Sequence, residues 1–199
     1  MAAPRRMRYS CGLLLWTHDM ALKSTIFKAD LQIADMDRQY YGTHALTIAR
    51  HPSETDERMM VRILAYALHA DESLAFGKGL SADDEPDLWQ KDLTGAIERW
   101  IEVGQPDERR ILKACGRAAH VIVYSYSGTS SIWWSQIAAR LRRAKNLSVL
   151  HLAPADSQAL ARLAQRNMQL QCTIQDAQIW MNSGGETLAL HLTAVKEPG

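Results

Sequence analysis

The chain has 199 residues, which suits one domain and leaves little room for two. Lys plus Arg number 23 against 22 Asp plus Glu, so a polybasic protein that coats nucleic acid by bulk charge is excluded; any such contact needs a local patch. Hydrophobic residues at 47% exclude wholesale disorder, and no apolar run approaches the ~20 residues of a membrane span. Cys11, Cys115 and Cys172 are too scattered for a disulfide framework or a zinc site and fit a reduced, cytoplasmic setting.

Residues 1–19 stand apart. Arg5, Arg6 and Arg8 precede Leu13-Leu14-Leu15-Trp16 in the order of a signal peptide, but the apolar run is short and Thr17-His18-Asp19 is no small-residue cleavage site. A second methionine, Met20, precedes clear strand patterning. The expected organisation is a disordered or spurious extension, 1–19, and a single domain, 20–199.

From Lys23 to Ile33, Phe27, Ala29, Leu31 and Ile33 alternate with Lys28, Asp30 and Gln32, the period of a half-buried strand. Met36-Asp37-Arg38 is the turn into a second, antiparallel strand, Tyr40 to Ala49. Ser53 and Asp56 resemble a capping box, and Met60, Ile63, Leu64, Ala67 and Leu68 recur at helical spacing, so a helix is expected to about Asp71. A loop through Ser81–Pro86 leads to strands at Asp87–Leu93 and Ala96–Val103. Pro106-Asp107 opens a helix with Ile111, Leu112 and Cys115 inward. Val121–Tyr124 is a buried, parallel-type strand, followed by a helix from Ser131 to Lys145, a strand at Leu147–Leu152 and a helix at Asp156–Arg166. Met168, Leu170, Cys172 and Ile174 alternate, as do Leu188, Leu190 and Leu192, across the turn Asn182-Ser183-Gly184-Gly185. This is an α/β (α+β) chain with a mixed central sheet and flanking helices.

The hairpin at Thr94-Gly95 carries a chemical argument. A two-residue turn there pairs Lys91 with Glu98, Trp89 with Trp100 and Asp87 with Glu102. The first two pairs are favourable; the third sets two carboxylates about 5 Å apart at Cβ. Solvent, a shared proton or a divalent cation such as Mg²⁺ would relieve that repulsion. Glu57, three residues before Met60, falls on the core-facing side of the first helix and could reach the sheet, or simply complement the helix dipole. Glu54 has the same two readings and is expected to be solvated. Arg109, Lys113 and Arg117 form a row on the following helix, either beside those carboxylates or as a solvated face. Arg140, Arg142, Arg143 and Lys145 sit at a helix C-terminus, where cations are favourable without a ligand. Gly-x-Ser-x-Gly, His-Glu-x-x-His and P-loop motifs are absent from the sequence. His44, His120, Met59, Met60 and the tryptophans read as structural.

Several long strings resemble the bacterial YaeQ family: Met20–Lys28, Ala49–Arg62, Phe76–Ser81, Asp84–Leu93, Gly104–Asp107 and Asn167–Gln175, so the likeness runs from Met20 to the C-terminus. The resemblance implies a variant of the PD-(D/E)XK core of restriction endonucleases, in which an Asp and a Glu hold Mg²⁺ and a lysine two residues after the Glu positions the attacking water. Residue by residue, Pro86-Asp87 matches the PD element, Glu102 the second acid and Glu57 the helix glutamate. Glycine, Gly104, stands where the superfamily has lysine. The implied hydrolytic site is Asp87, Glu102 and the Val103 carbonyl on Mg²⁺, Glu57 as outer ligand or base, Gln105 orienting water, and Lys113 as the activating cation; Lys91, across the hairpin, is the other candidate for the missing charge. Two readings stand: a Mg²⁺-dependent nuclease or phosphodiesterase, or a catalytically inactive module of the same fold that binds nucleic acid or protein. Neither calls for a small-molecule cofactor or a membrane.

Overall fold

The computed structural model describes residues 24–78 and 84–199; the 1–19 segment lies outside them. The strands divide between two sheets. One has five strands in the order β10(Glu186–Leu190)-β9(Gln178–Ser183)-β8(Asn167–Gln175)-β1(Thr25–Asp35)-β2(Tyr40–Arg50). The other has six: β11(Leu192–Lys196)-β7(Leu147–Leu152)-β6(Ala118–Ser125)-β5(Ile97–Val103)-β4(Leu88–Lys91)-β3(Leu74–Phe76). The first hairpin has its expected alternation: Phe27, Ala29, Leu31 and Ile33 are buried, and Tyr40–Arg50 pairs antiparallel with Thr25–Asp35. β8 closes against β1 in parallel, a partnership between distant residues that a period of two cannot announce.

Helix α1(Asp56–Leu68) packs between the sheets. Every residue from Met59 to Ala67 is buried, and Met59, Met60, Ile63 and Leu64 are fully so. Each such side chain contributes about 1.5–3 kcal/mol. The cap is not the expected Ser53: Thr55 accepts from the Arg58 N–H at 3.1 Å, while the Ser53 hydroxyl bonds His51. The helix also stops earlier than predicted, its last turn ending at Leu68.

The second sheet contains three parallel strands, β5, β6 and β7. Helices α2(Glu108–Cys115), capped by Asp107, and α3(Ser130–Leu141) cover one face, where Ile111, Ala114 and Leu141 pack on Trp100, Val121, Val123 and Val149. The other face, with Leu88, Ile101, Val103 and Tyr124, meets α1 and α4(Pro154–Arg162). Leu112, expected inward, is exposed, and Ala114 takes its place. The tail does more than close a hairpin: β9 and β10 pair in the first sheet, and β11 crosses to the second and pairs with β7.

Trp89 lies opposite Trp100, as predicted, but Lys91 faces Ile97 rather than Glu98, because a bulge intervenes. The connection is not a two-residue turn. Asp92 accepts from the N–H groups of Thr94 and Ala96, the Gly95 N–H closes on the Asp92 carbonyl, and Gly95 takes φ +86°, where glycine has no Cβ penalty.

A buried acid–arginine cluster

Asp87 immediately precedes β4, and two backbone contacts place it. Its N–H donates to the Ile101 carbonyl at 3.0 Å, and its own carbonyl accepts from the Gly77 N–H at 2.9 Å. Gly77 has no alternative here: a Cβ would stand 2.0 Å from the Pro86 carbonyl oxygen. Asp87 is 1% exposed. Its side chain accepts the Val103 N–H at 2.8 Å, and Arg58 Nη2 donates to both its oxygens at 2.7 and 2.8 Å.

The helix before it supplies a second layer. Glu54, expected in solvent, is 4% exposed. It takes Arg58 Nη1 at 2.9 Å and Arg62 Nη1 at 3.1 Å on each oxygen, and Arg62 Nε lies 3.4 Å from Asp87. Arg62 sits in the helix turn enclosed on all sides, so its charge is supportable only with both carboxylates beside it. Burial alone would lower the Arg58 pKa; the fields of Asp87 and Glu54 outweigh it and raise the net value.

Glu102 is buried on the opposite side of the sheet. Trp100 Nε1 and Arg110 Nε donate to its Oε1 at 2.7 and 2.8 Å. Arg110 comes from α2, whereas Arg58 and Arg62 come from α1, so the two acids are held by cations reaching in from opposite faces. They still sense each other. Burial pushes the Glu102 pKa up, Arg110 opposes it, and the Asp87 charge adds to the rise.

The remaining predicted residues go elsewhere. Glu57 accepts from the fully buried Ser157 hydroxyl at 2.6 Å, and Tyr126 lies within its field and those of Asp87 and Glu54. Gln105 Nε2 donates to Thr129 Oγ1 at 3.1 Å and to the Ser127 and Ser130 hydroxyls. Lys113 pairs with exposed Asp84. Val103 meets Asp87 through its N–H. Of the basic row, Arg117 lies over the Trp100 ring and donates to the Asp84 carbonyl. Arg58, Arg62 and Arg110 have no role in the sequence reading, and Glu54 is there only with an expected solvated position. Glu54 and Arg58 are spaced as a helical ion pair, the one available signal. Among the described residues no group of three or more His, Cys, Asp or Glu is arranged to hold a metal ion.

A family model described as YaeQ protein matches residues 20–192. This chain belongs to the YaeQ family. It is 48% identical to the YaeQ protein of Salmonella typhi and 47% identical to that of Escherichia coli K12, in each case over 90% of this chain and 99% of the relative. The crystal structure of the Xanthomonas axonopodis pv. citri YaeQ protein superposes with a TM-score of 0.85 at 47% identity, covering 88% of this chain and 99% of that one. The Pseudomonas syringae YaeQ structure gives 0.84 at 34% identity, over 87% and 97%. No helix among the described residues is long and apolar enough to cross a membrane.

Proposed function

We propose that this YaeQ-family chain is a non-hydrolytic module, built on a PD-(D/E)XK-like frame, that binds single-stranded nucleic acid across the α2/α3 face. The observation that carries the reading is the charge of that layer. Between Gln105 and Asn146 there are eight Lys or Arg and two acids, while the whole chain is +1. Arg109, Arg142, Arg143 and Lys145 are exposed there and form no ion pair among the described residues. A groove of 510 Å³ runs between α2 and α3, with Trp133 and Ile137 in it, and with Arg109 and Arg140 beside Asp107 and Glu108 at its sides. An aromatic surface flanked by guanidinium groups suits stacked bases and their phosphates.

The same reading accounts for the acids. Arg58 occupies both oxygens of Asp87, with Arg62 beside it, so a divalent ion would have to displace one guanidinium and sit against another. With glycine at 104, Lys113 paired with Asp84 and Lys91 Nζ lying 3.4 Å over the Trp89 ring, neither candidate lysine is given to the carboxylates. The competing Mg²⁺-dependent nuclease reading draws on one observation, the coupling of the Asp87 and Glu102 charges. Mg²⁺ and Mn²⁺ calorimetry beside Asp87→Asn/Glu102→Gln, with gel analysis of DNA and RNA oligomers, separates the two. Metal binding lost in the double variant, with cleavage, rules for the nuclease. Oligomers retained intact with no metal heat support the binding module.

A further inference from the structure

We infer that the chain holds a small-molecule-sized pocket, separate from the acid–arginine cluster and sharing Trp133 with the groove, that takes a neutral planar heterocycle of nucleobase size. The topology points to it first. β6 and β7 are parallel neighbours, yet the helix after β6 returns on one face of the sheet and the helix after β7 on the other. In parallel sheets the crevice beyond the strand ends at such a divergence is where ligands bind. A cavity of 260 Å³ lies there, lined by the end of β6 and the start of α3 on one side and by His151 and Pro154 on the other.

Its lining specifies the chemistry. Trp133, Trp134, Val149 and Val195 give apolar and aromatic walls, and Ser125 and His151 are polar. Buried Ser125 donates its hydroxyl to the Leu150 carbonyl at 3.2 Å and meets His151 Nδ1 at the same distance, an arrangement that leaves imidazole Nε2 to bond a ligand. No Asp, Glu, Lys or Arg lines the cavity, so a charged group would enter without a partner, which is costly. Flat faces for stacking, a few donors and acceptors and this volume fit a base or nucleoside and are too small for a dinucleotide.

The chemistry is shared by free bases and by a base splayed from a strand, and the inference does not rest on the proposed strand binding. The test is ligand-observed NMR with adenine, cytosine, uracil and their nucleosides on the full chain, beside Ser131→Trp, which fills the mouth from an exposed position, and Arg109→Glu/Arg142→Glu/Arg143→Glu. Binding of at least one probe at millimolar or better Kd is expected, weakened at least tenfold in Ser131→Trp and unchanged in the arginine variant. If Ser131→Trp loses its folded spectrum, Val195→Trp on the exposed opposite rim replaces it. Displacement of the base by a single-stranded oligomer assigns the source to a strand; failure to displace assigns it to a free ligand. No saturation by any probe up to 10 mM, or equal binding in the filled variants, overturns the inference. Base binding by a chain that ignores oligomers would remove the strand-binding reading alone.

Discussion

Two charged regions of this molecule obey opposite rules. In the cluster around Asp87, Arg62 and the acids Glu54, Asp87 and Glu102 are buried, Arg58 and Arg110 are partly buried, and each is tied to a partner within 3.1 Å. On the α2/α3 face, Arg109, Arg142, Arg143 and Lys145 stand in solvent. Buried charge is paired because an orphan ion in low dielectric costs several kcal/mol. Exposed like charge costs little for folding and leaves a field that an anionic strand can meet. The same residue types therefore hold the fold together in one place and leave attraction for a partner in the other.

The first way to break this contrast is to delete a buried partner. Arg62→Met leaves the two buried acids, Glu54 and Asp87, to share Arg58; a loss of about 3–5 kcal/mol is expected in urea unfolding. A loss below 1 kcal/mol would mean the cluster is wetter than its burial implies. Gly77→Ala drives a methyl into the Pro86 carbonyl and moves Asp87, with an expected cost of about 1–3 kcal/mol. At the other extreme, Arg140→Ala removes an exposed pair with Glu108 and should stay within about 0.5 kcal/mol.

Titration sharpens the same point. Burial and the neighbouring Arg99 and Arg38 charges push the His69 pKa down to about 3, and its Nε2 pairs with Tyr124 Oη at 2.8 Å. Between about 3 and the ordinary 6.5 the unfolded chain binds a proton that the fold refuses. His69 should therefore make stability fall as pH drops through that window, by at most about 1.4 kcal/mol per unit. His69→Asn should flatten the slope. Glu102 has the opposite sign: its raised pKa makes stability fall as pH rises above the ordinary carboxylate range, and Glu102→Gln should remove that contribution.

Much of the first-level structure was legible. The strand at Leu147–Leu152 and the Trp89–Trp100 pairing match the sequence reading, because buried runs and facing aromatics are local signals. The cluster was half legible. Asp87 and Glu102 were singled out as neighbours from the hairpin register, and their charges do interact. Their cations were not. Arg58 and Arg62 lie on the side of α1 that apolar periodicity assigns to water, and only the second sheet, assembled from strands far apart in sequence, encloses that side. Glu54, which shares the two readings of Glu57 and is expected in solvent, is buried by the same enclosure. Helical spacing sets Lys113 in a basic row and the family resemblance suggests it for the activating charge, but neither reveals that Asp84, a residue of the preceding loop, takes it.

The most direct test is a salt series of anisotropy titrations with one labelled single-stranded oligomer, in Mg²⁺ and in EDTA, for the wild type and for Arg109→Glu/Arg142→Glu/Arg143→Glu. The account predicts equal affinity with and without metal, an intact oligomer at the end, and a slope of log K against log salt that shrinks by about 2 in the variant. Metal-dependent cleavage, or a slope indifferent to the three arginines, would contradict it.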